Sequence, residues 1–197
     1  MLNLFPITRA LIIANVVIFL LQGMGGDDFV SHFALWPWHA PLFHAWQIIT
    51  YAFLHDGFSH LFFNMFGLYM FGPEIEHTLG PRHYLMYYFV SVIGAALVHL
   101  AVMQLTGTEW IPTLGASGGI FGLLLAFGMF FPQRRIVLLI PPIPMKAWVF
   151  VTLYGLVELA MGVFGTMQGV AHFAHLGGML GGFLLLMYWR VVGTSNL

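Results

Sequence analysis

Six long runs of apolar residues constrain the fold of this chain more than any other feature. They centre on residues 7–21, 58–72, 84–105, 115–131, 147–164 and 171–191. A helix of about 20 residues crosses the ~30 Å core of a bilayer, and most of the runs approach that length. Only 7% of the 197 residues are charged, against about 25% in soluble domains. We therefore expect an all-α membrane protein, with residues 1–197 forming a single domain of six transmembrane helices.

The first apolar run is compatible with two interpretations. Arg9 precedes it, as a basic residue precedes the core of a secretory signal peptide. No small-x-small cleavage pattern follows closely, however. We interpret the run as a first membrane helix that is retained.

The few charged residues predict how the helices are oriented. With six spans, every lysine and arginine falls at one face, and Asp27, Asp28, Asp56 and Glu109 fall at the other. The cationic residues are Arg9, Arg82, Arg134, Arg135, Lys146 and Arg190. Because cytoplasmic loops are enriched in lysine and arginine, both termini are expected in the cytoplasm.

The longest outer connection covers residues 23–57. It contains the segment LWPWHAPLFHAW, with Trp36, Trp38 and Trp46. Tryptophan prefers the membrane interface, so we expect this connection to lie partly in the outer leaflet. The lipid bilayer is then a partner of the chain, whereas a formal net charge of −1 gives no basis for binding nucleic acid.

Five polar residues lie inside the predicted spans, where such residues are costly and frequently functional. They are His60, Asn64, Ser117, His172 and His175. Helices two, four and six all enter from the outer side. Counting 1.5 Å per residue places these groups roughly 5–10 Å below the outer surface. Three helices therefore bring polar groups to one layer.

Pairs of glycines predict that two of these helices pack closely. Gly118 and Gly122 form one small-xxx-small pair, and Gly178 and Gly182 form another on the face that carries His175. Such pairs let membrane helices approach one another. Close packing of helices four and six would bring the His175 imidazole within reach of the Ser117 hydroxyl.

Simpler interpretations of these residues stay open at this point. A serine in a membrane helix commonly bonds a carbonyl of its own helix, and a histidine commonly bonds a neighbouring helix. His172 and His175, with His55 and His60, could instead belong to a histidine-rich transporter or a metal-binding membrane protein. The chain has no cysteine, and we expect no carboxylate in this cluster, so no metal site is predicted.

Glu158 lies in the middle of the fifth apolar run. It is either an interior acid held by hydrogen bonds or part of a proton or ion pathway. The sequence does not assign it a role.

A serine beside a neutral histidine is the minimal pair for acyl transfer, because the imidazole can accept the hydroxyl proton during attack. His60, Asn64 and the backbone N–H of Ser117 could donate hydrogen bonds to the resulting oxyanion. With no acid expected at the depth of His175, we predict a Ser117–His175 dyad rather than a triad. Phe121, one turn below Ser117, could support the imidazole by stacking.

Three motifs together resemble those of the rhomboid intramembrane serine proteases. They are G-x-S-G at Gly115–Gly118, A-H-x-x-G-x-x-x-G from Ala174 to Gly182, and His60-x-x-x-Asn64. They occur in the family's order and on its second, fourth and sixth helices. The resemblance covers the whole chain as a six-helix core.

This resemblance implies a function. The protein would cleave transmembrane segments of other membrane proteins, single-span proteins among them, near their outer ends and without metal or cofactor. Ser117 would be the nucleophile and His175 the base, and His60 and Asn64 would bind the oxyanion. A compact chain of this kind fits an inner (plasma) membrane of a bacterium.

The chain departs from the family pattern at two positions. Phe121 stands where a tyrosine is common, so stacking is kept and a hydroxyl is lost. Trp46-Gln47 stands where Trp-Arg is common, so an arginine–glutamate tie cannot anchor the first outer loop. The family further suggests Phe63 and the loop 164–170 as parts of a lateral gate or cap.

Overall fold

The computed structural model describes residues 5–107, 111–138, 142–165 and 171–193, and these ranges are mostly helical. The elements in chain order are α1 (Pro6–Phe33), α2 (Gln47–Thr50), a 3₁₀ turn (Tyr51–Phe53), α3 (Phe58–Thr106), α4 (Ser117–Phe130), β1 (Arg135–Val137), β2 (Pro144–Lys146), α5 (Ala147–Phe164) and α6 (His172–Val192).

Four of the described helices, α1, α3, α5 and α6, are long and apolar enough to cross a membrane. Helix α4 has 14 residues and is apolar but shorter. Together they give an all-α membrane protein. The short pair β1–β2, with Arg135 opposite Lys146, was not expected from the sequence.

Helix α3 consists of two arms that fold back on each other. Its 49 residues are interrupted at Gly80, whose φ of 73° and ψ of 160° are not helical. In a straight helix Gly72 and Tyr84 would lie about 18 Å apart along the axis. Instead, a Cβ added at Gly72 would lie 2.9 Å from the Tyr84 hydroxyl. The positive φ at Gly80 therefore reverses the chain where the sequence shows a polar break between two apolar runs.

Helix α4 lies at the centre of the bundle. Residues 118–124 and 126–128 are all buried, and they contact α3 and α6 on either side. The hydroxyl of Tyr87 on α3 donates a 2.7 Å hydrogen bond to the carbonyl of Gly122. Because α4 is enclosed by protein rather than lipid, its polar first turn can be placed inside the bundle.

Contacts at one end of the bundle bring cationic segments together. The buried Glu76 carboxylate on α3 accepts hydrogen bonds from the backbone N–H groups of Ile7 and Thr8, at 2.9 and 2.8 Å. These groups belong to the first turn of α1, whose N–H groups have no acceptor within the helix. Nearby in sequence, Glu74 pairs with Arg134 after α4 at 2.9 Å. The start of α1, the bend of α3 and the α4–α5 connection therefore share one end.

The first outer connection is more ordered than its loop composition indicates. Helix α1 continues to Phe33 across a break at Gly26 (φ 59°, ψ −150°), so the first part of the segment 23–57 is helical. The buried side chain of Gln47 then anchors the rest. Its Oε1 accepts from the N–H groups of Trp36 and His44, and its Nε2 donates to the carbonyls of His32 and Leu42. Glutamine thus supplies the loop-one anchor that an arginine–glutamate tie could not.

Candidate active site

Ser117 is the first residue of α4 and is half-buried. Gly115, two residues earlier, has a φ of 129°, which favours glycine. Its N–H donates a 2.9 Å hydrogen bond to the carbonyl of Tyr51 in the 3₁₀ turn. The tight turn at Gly115 therefore fixes where α4 begins and where the Ser117 side chain lies.

The His175 ring lies against the Ser117 hydroxyl. The distance from His175 Nε2 to Ser117 Oγ is 2.9 Å, although the two residues are 58 positions apart. His175 lies in the first turn of α6 and is 9% exposed. An imidazole nitrogen at this distance from a hydroxyl can accept its proton.

Gly178 accounts most directly for the approach of α6 to α4. A Cβ added at Gly178 would collide with the backbone carbonyl of Gly118, so α4 and α6 touch there backbone to backbone. A Cβ at Gly118 would meet the Ala95 side chain, one at Gly122 the Ser91 side chain, and one at Gly182 the Tyr87 hydroxyl. Gly178 therefore permits the α4–α6 contact that brings Ser117 and His175 together, and the other three glycines let α3 side chains pack closely against α4 and α6.

Phe121 lies flat against the base. Its ring and that of His175 have centroids 4.1 Å apart and planes 5° apart. The Phe121 ring also contacts the ring of Tyr154 on α5, with 5.0 Å between the centroids. The stack limits rotation of the imidazole about its side-chain bonds.

The protonated nitrogen of His60 can be deduced from its contacts. The N–H of Asp56 donates to His60 Nδ1 at 3.2 Å, so Nδ1 is the acceptor nitrogen. In a neutral imidazole the other nitrogen, Nε2, then carries the proton. A Cβ added at Gly115 would lie 2.8 Å from Nε2. His60 therefore presents an N–H donor beside the turn that precedes Ser117.

Asn64 lies one turn further along α3 and is buried. Its Nδ2 donates a 3.0 Å hydrogen bond to the carbonyl of His60. This bond uses one of the two N–H groups of Nδ2. It fixes the side-chain amide on the same helix face as His60.

His55 precedes α3 and packs edge-on against His60, with ring centroids 5.1 Å apart. Burial, and secondarily the neighbouring His60, lowers the pKa of His55 to about 4. His55 is therefore neutral at pH 7, and its ring supports His60 without adding positive charge to the site.

The expectation that no acid lies at the depth of His175 is wrong. Glu158 on α5 is 4% exposed, and its Oε2 lies 2.8 Å from His175 Nδ1 and 2.7 Å from His172 Nδ1. Glu158 lies six residues before the end of α5 at Phe164, which is about 9 Å along the helix. The same depth count that grouped the other polar residues would therefore have included it.

The same contact contradicts the expectation that no carboxylate lies in the histidine cluster. Ligand atoms of Glu158, His172 and His175 all lie within 4.8 Å of one another, and one carboxylate with two imidazoles could hold a metal. Two ligands of a tetrahedral zinc at ~2.0–2.1 Å are roughly 3.3 Å apart. The observed N–O distances of 2.7 and 2.8 Å are instead those of hydrogen bonds.

The predicted gate residues are described only in part. Phe63 on α3 and Phe164 at the end of α5 are exposed, at 63% and 78%. Residues 166–170 of the suggested cap, and Glu109 of the acidic face, lie outside the described residues.

Comparison with known proteins adds the decisive observation. A family model described as a rhomboid domain matches residues 42–191, which include every residue of the site. The chain belongs to the rhomboid family. This confirms the resemblance drawn from the three motifs on α3, α4 and α6.

Named rhomboid proteins are among the relatives. The chain is 36% identical over 143 residues to rhomboid protein 1, mitochondrial, of Saccharomyces cerevisiae, covering 72% of this chain and 41% of the relative. It is 27% identical over 185 residues to rhomboid protease GlpG of Klebsiella pneumoniae, covering 91% and 62%. It is 29% identical over 140 residues to rhomboid-like protein 16, chloroplastic, of Arabidopsis thaliana, covering 62% and 44%. The chain thus spans less than two thirds of the length of these relatives.

Proposed function

We propose that this rhomboid protein is an intramembrane serine endopeptidase that cleaves transmembrane segments of other membrane proteins near their outer ends. The observation that carries the proposal is the 2.9 Å contact between Ser117 Oγ and His175 Nε2. A relative of the chain is named a rhomboid protease, which supports the same reaction class.

The geometry supports a complete acyl-transfer cycle. Ser117 Oγ attacks the carbonyl carbon of the scissile peptide while its proton passes to His175 Nε2. The tetrahedral intermediate then expels the amine, which takes that proton from His175. Water, deprotonated by His175, attacks the acyl-serine and releases the carboxylate product and the free serine.

The oxyanion of each tetrahedral intermediate needs donors that are already in place. His60 Nε2–H, beside Gly115, is one candidate. The backbone N–H of Ser117, in the first turn of α4, is a second. Asn64 Nδ2 is a third. Each donor is held by the fold before substrate binds, which is the condition for electrostatic stabilisation of the transition state.

We infer a six-span arrangement with both termini in the cytoplasm and the site facing the outer side. The two arms of α3, together with α1, α4, α5 and α6, supply six helical segments. The contacts of Glu76 and Arg134 gather cationic segments at the end opposite to Ser117. In this arrangement residues 1–197 form one rhomboid domain with its outer connection at about 23–57, in a bacterial inner membrane.

Helix stability predicts which substrates suit such a site. The carbonyl groups of a transmembrane helix are bonded within the helix, so a single-span substrate must unwind locally before Ser117 can attack. Glycine and proline lower the helix propensity by about 1 and 3 kcal/mol. Substrates carrying them near the outer boundary are therefore expected to be cleaved faster than matched all-leucine segments.

The proposal is tested by cleavage of a test substrate with one transmembrane segment. Ser117→Ala and His175→Ala should each abolish cleavage without changing the fold, and His172→Ala should reduce it much less. His77→Ala, at an exposed position near the opposite end, is the control and should match the wild type. Cleavage by Ser117→Ala at the wild-type rate would refute the assignment of Ser117 as the nucleophile. If stoichiometric zinc co-purified with the wild type, the metal-binding alternative would be favoured instead.

A further inference from the structure

Glu158 connects the outer part of α5 to the base of the proposed dyad. Its Oε2 lies 2.8 Å from His175 Nδ1 and 2.7 Å from His172 Nδ1, and all three side chains are buried. The opposite nitrogen of His175, Nε2, faces Ser117 Oγ at 2.9 Å. Glu158, His175 and Ser117 therefore form a continuous chain from a carboxylate to the serine hydroxyl, and His172 is a second contact of the carboxylate.

The sharing of one oxygen atom indicates the protonation state. A protonated carboxyl oxygen carries one hydrogen, so it would have to donate to one Nδ1 atom and accept from the other. An ionised carboxylate oxygen can accept from both, because it has lone pairs for two donors. The two nearly equal distances of 2.7 and 2.8 Å fit an ionised Glu158 that accepts a hydrogen bond from a proton-bearing Nδ1 of each histidine in the same way.

This arrangement determines which nitrogen of His175 can act. With its proton on Nδ1, the neutral imidazole has its lone pair on Nε2, which is the atom facing Ser117. When Nε2 takes the serine proton, the resulting imidazolium lies in direct contact with a carboxylate. In soluble serine proteases a buried carboxylate performs both tasks for its histidine.

We propose that Glu158 is a positioning residue that holds His175 in its base-competent tautomer and stabilises the imidazolium, so that the site works as a Ser–His–Glu triad. The proposal rests on the proposed function. In it His172 has a supporting role, because its Nδ1–H is the second donor to the same oxygen. A buried carboxylate is tolerated only when several donors satisfy it.

A purely structural role for Glu158 has to be separated from this one. Only Ala147, Val151 and Glu158 are buried on α5. Glu158 is therefore also a main polar contact between α5 and α6. A variant that merely loosened α5 would lower stability, whereas a variant that lost the orienting charge would lower kcat.

The test uses Glu158→Gln, which keeps the shape without the charge, and Glu158→Asp, which keeps the charge on a shorter side chain. Glu74→Gln is the matched control, since Glu74 forms a surface ion pair with Arg134. Each purified full-length protein is assayed for kcat and KM on the test substrate, for the rate of fluorophosphonate labelling, and for Tm. Replacing the orienting acid by its amide lowers kcat by about 10⁴-fold in a soluble serine protease. Here we expect a fall of at least about 100-fold in kcat and in labelling rate for Glu158→Gln, with KM within about twofold.

The order of activities decides between the two roles. The proposal requires that Glu158→Asp retains more activity than Glu158→Gln, because charge matters more than shape. It is overturned if Glu158→Gln keeps wild-type kcat, if Gln outperforms Asp, or if Glu158→Gln fails to fold, since the carboxylate would then be holding α5 rather than the base. Loss of wild-type activity in EDTA, together with zinc that is absent from Glu158→Gln, would also overturn it.

The same assay separates this inference from the proposed function. If the wild type neither cleaves nor labels, or if Ser117→Ala still does, the protease proposal fails. If the wild type is active through Ser117 and Glu158→Gln is equally active, only the triad fails.

Discussion

The ring of Phe121 lies parallel to that of His175, with 4.1 Å between centroids. Phe121 is one turn after Ser117 on α4, so a single helix carries both the hydroxyl and the flat surface on which its base rests. Glu158 Oε2 lies 2.8 Å from Nδ1 of the same imidazole. Packing and a hydrogen bond thus fix the ring in two independent ways.

Removing the stack should slow the reaction without abolishing it. Aromatic pairs are worth about 0.5–1.5 kcal/mol beyond simple burial, so Phe121→Ala should lower kcat by roughly 2- to 13-fold. Phe121→Tyr keeps the ring and should stay near the wild type. Cleavage kinetics, measured below the Tm of each variant, check this. A Phe121→Ala protein with unchanged kcat would show that the stack does not position the base.

Asn64 should contribute to turnover through its amide. Losing one oxyanion donor costs about 10²–10³-fold in kcat. Because several donors converge here, we expect Asn64→Ala to lower kcat by about 10²-fold or less. Asn15→Ala is a matched control, because Asn15 makes the same kind of bond to its own helix, Nδ2 to the carbonyl of Leu11 at 2.8 Å. If both variants had equal turnover, Asn64 would have no place in the oxyanion site.

Gly178→Ala should separate α4 from α6. The added Cβ would lie 2.8 Å from the carbonyl carbon of Gly118, where only backbone could yield. Overpacking typically costs 1–3 kcal/mol, so a lower Tm and a large loss of cleavage are expected together. Gly155→Ala on α5 is the control, since its Cβ would make an ordinary 3.5 Å contact with Met179 Cε. Wild-type cleavage by Gly178→Ala would mean that this helix contact does not set the distance between Ser117 and His175.

Gln47→Ala should weaken the outer connection rather than the chemistry. The N–H groups of Trp36 and His44 and the carbonyl of Leu42 lose this partner, whereas the carbonyl of His32 keeps its bond from Trp46 Nε1. Each lost hydrogen bond costs about 0.5–1.5 kcal/mol. We therefore expect a lower Tm, with kcat close to that of the wild type at temperatures where the variant is folded. Gln104→Ala, at an exposed position where Gln104 accepts a bond from Trp38 Nε1, should change Tm little. Equal Tm values for the two variants would contradict the claim that Gln47 anchors this connection.

The sequence alone brought Ser117, His175, His60 and Asn64 to one layer, because each lies near an outer helix end and helical rise converts residue counts into depth. The glycine pairs indicated which helices approach. Depth counting does not say which way a side chain points, however. Helical rise also places Glu158 at the depth of His175, but its contact with that ring depends on the direction of its side chain.

Loop one and the bend of α3 illustrate a second limit. The hydrogen bonds near the bend of α3 join residues far apart in sequence, such as Glu76 with Thr8. Polar residues near an apolar run favour a loop in sequence reasoning, but Glu76 lies within a helix because its carboxylate satisfies the first turn of α1. The role of Gln47 is hidden for a different reason, because its four partners are nearby backbone groups that no motif encodes.

The most direct test of the account is labelling of the purified protein with a fluorophosphonate probe, with the modified residue mapped by mass spectrometry. A hydroxyl activated by the neighbouring imidazole should react at Ser117, and labelling should be lost in Ser117→Ala and in His175→Ala. An unlabelled wild-type protein that is folded, or labelling that persists in Ser117→Ala, would contradict the claim that Ser117 is an activated nucleophile.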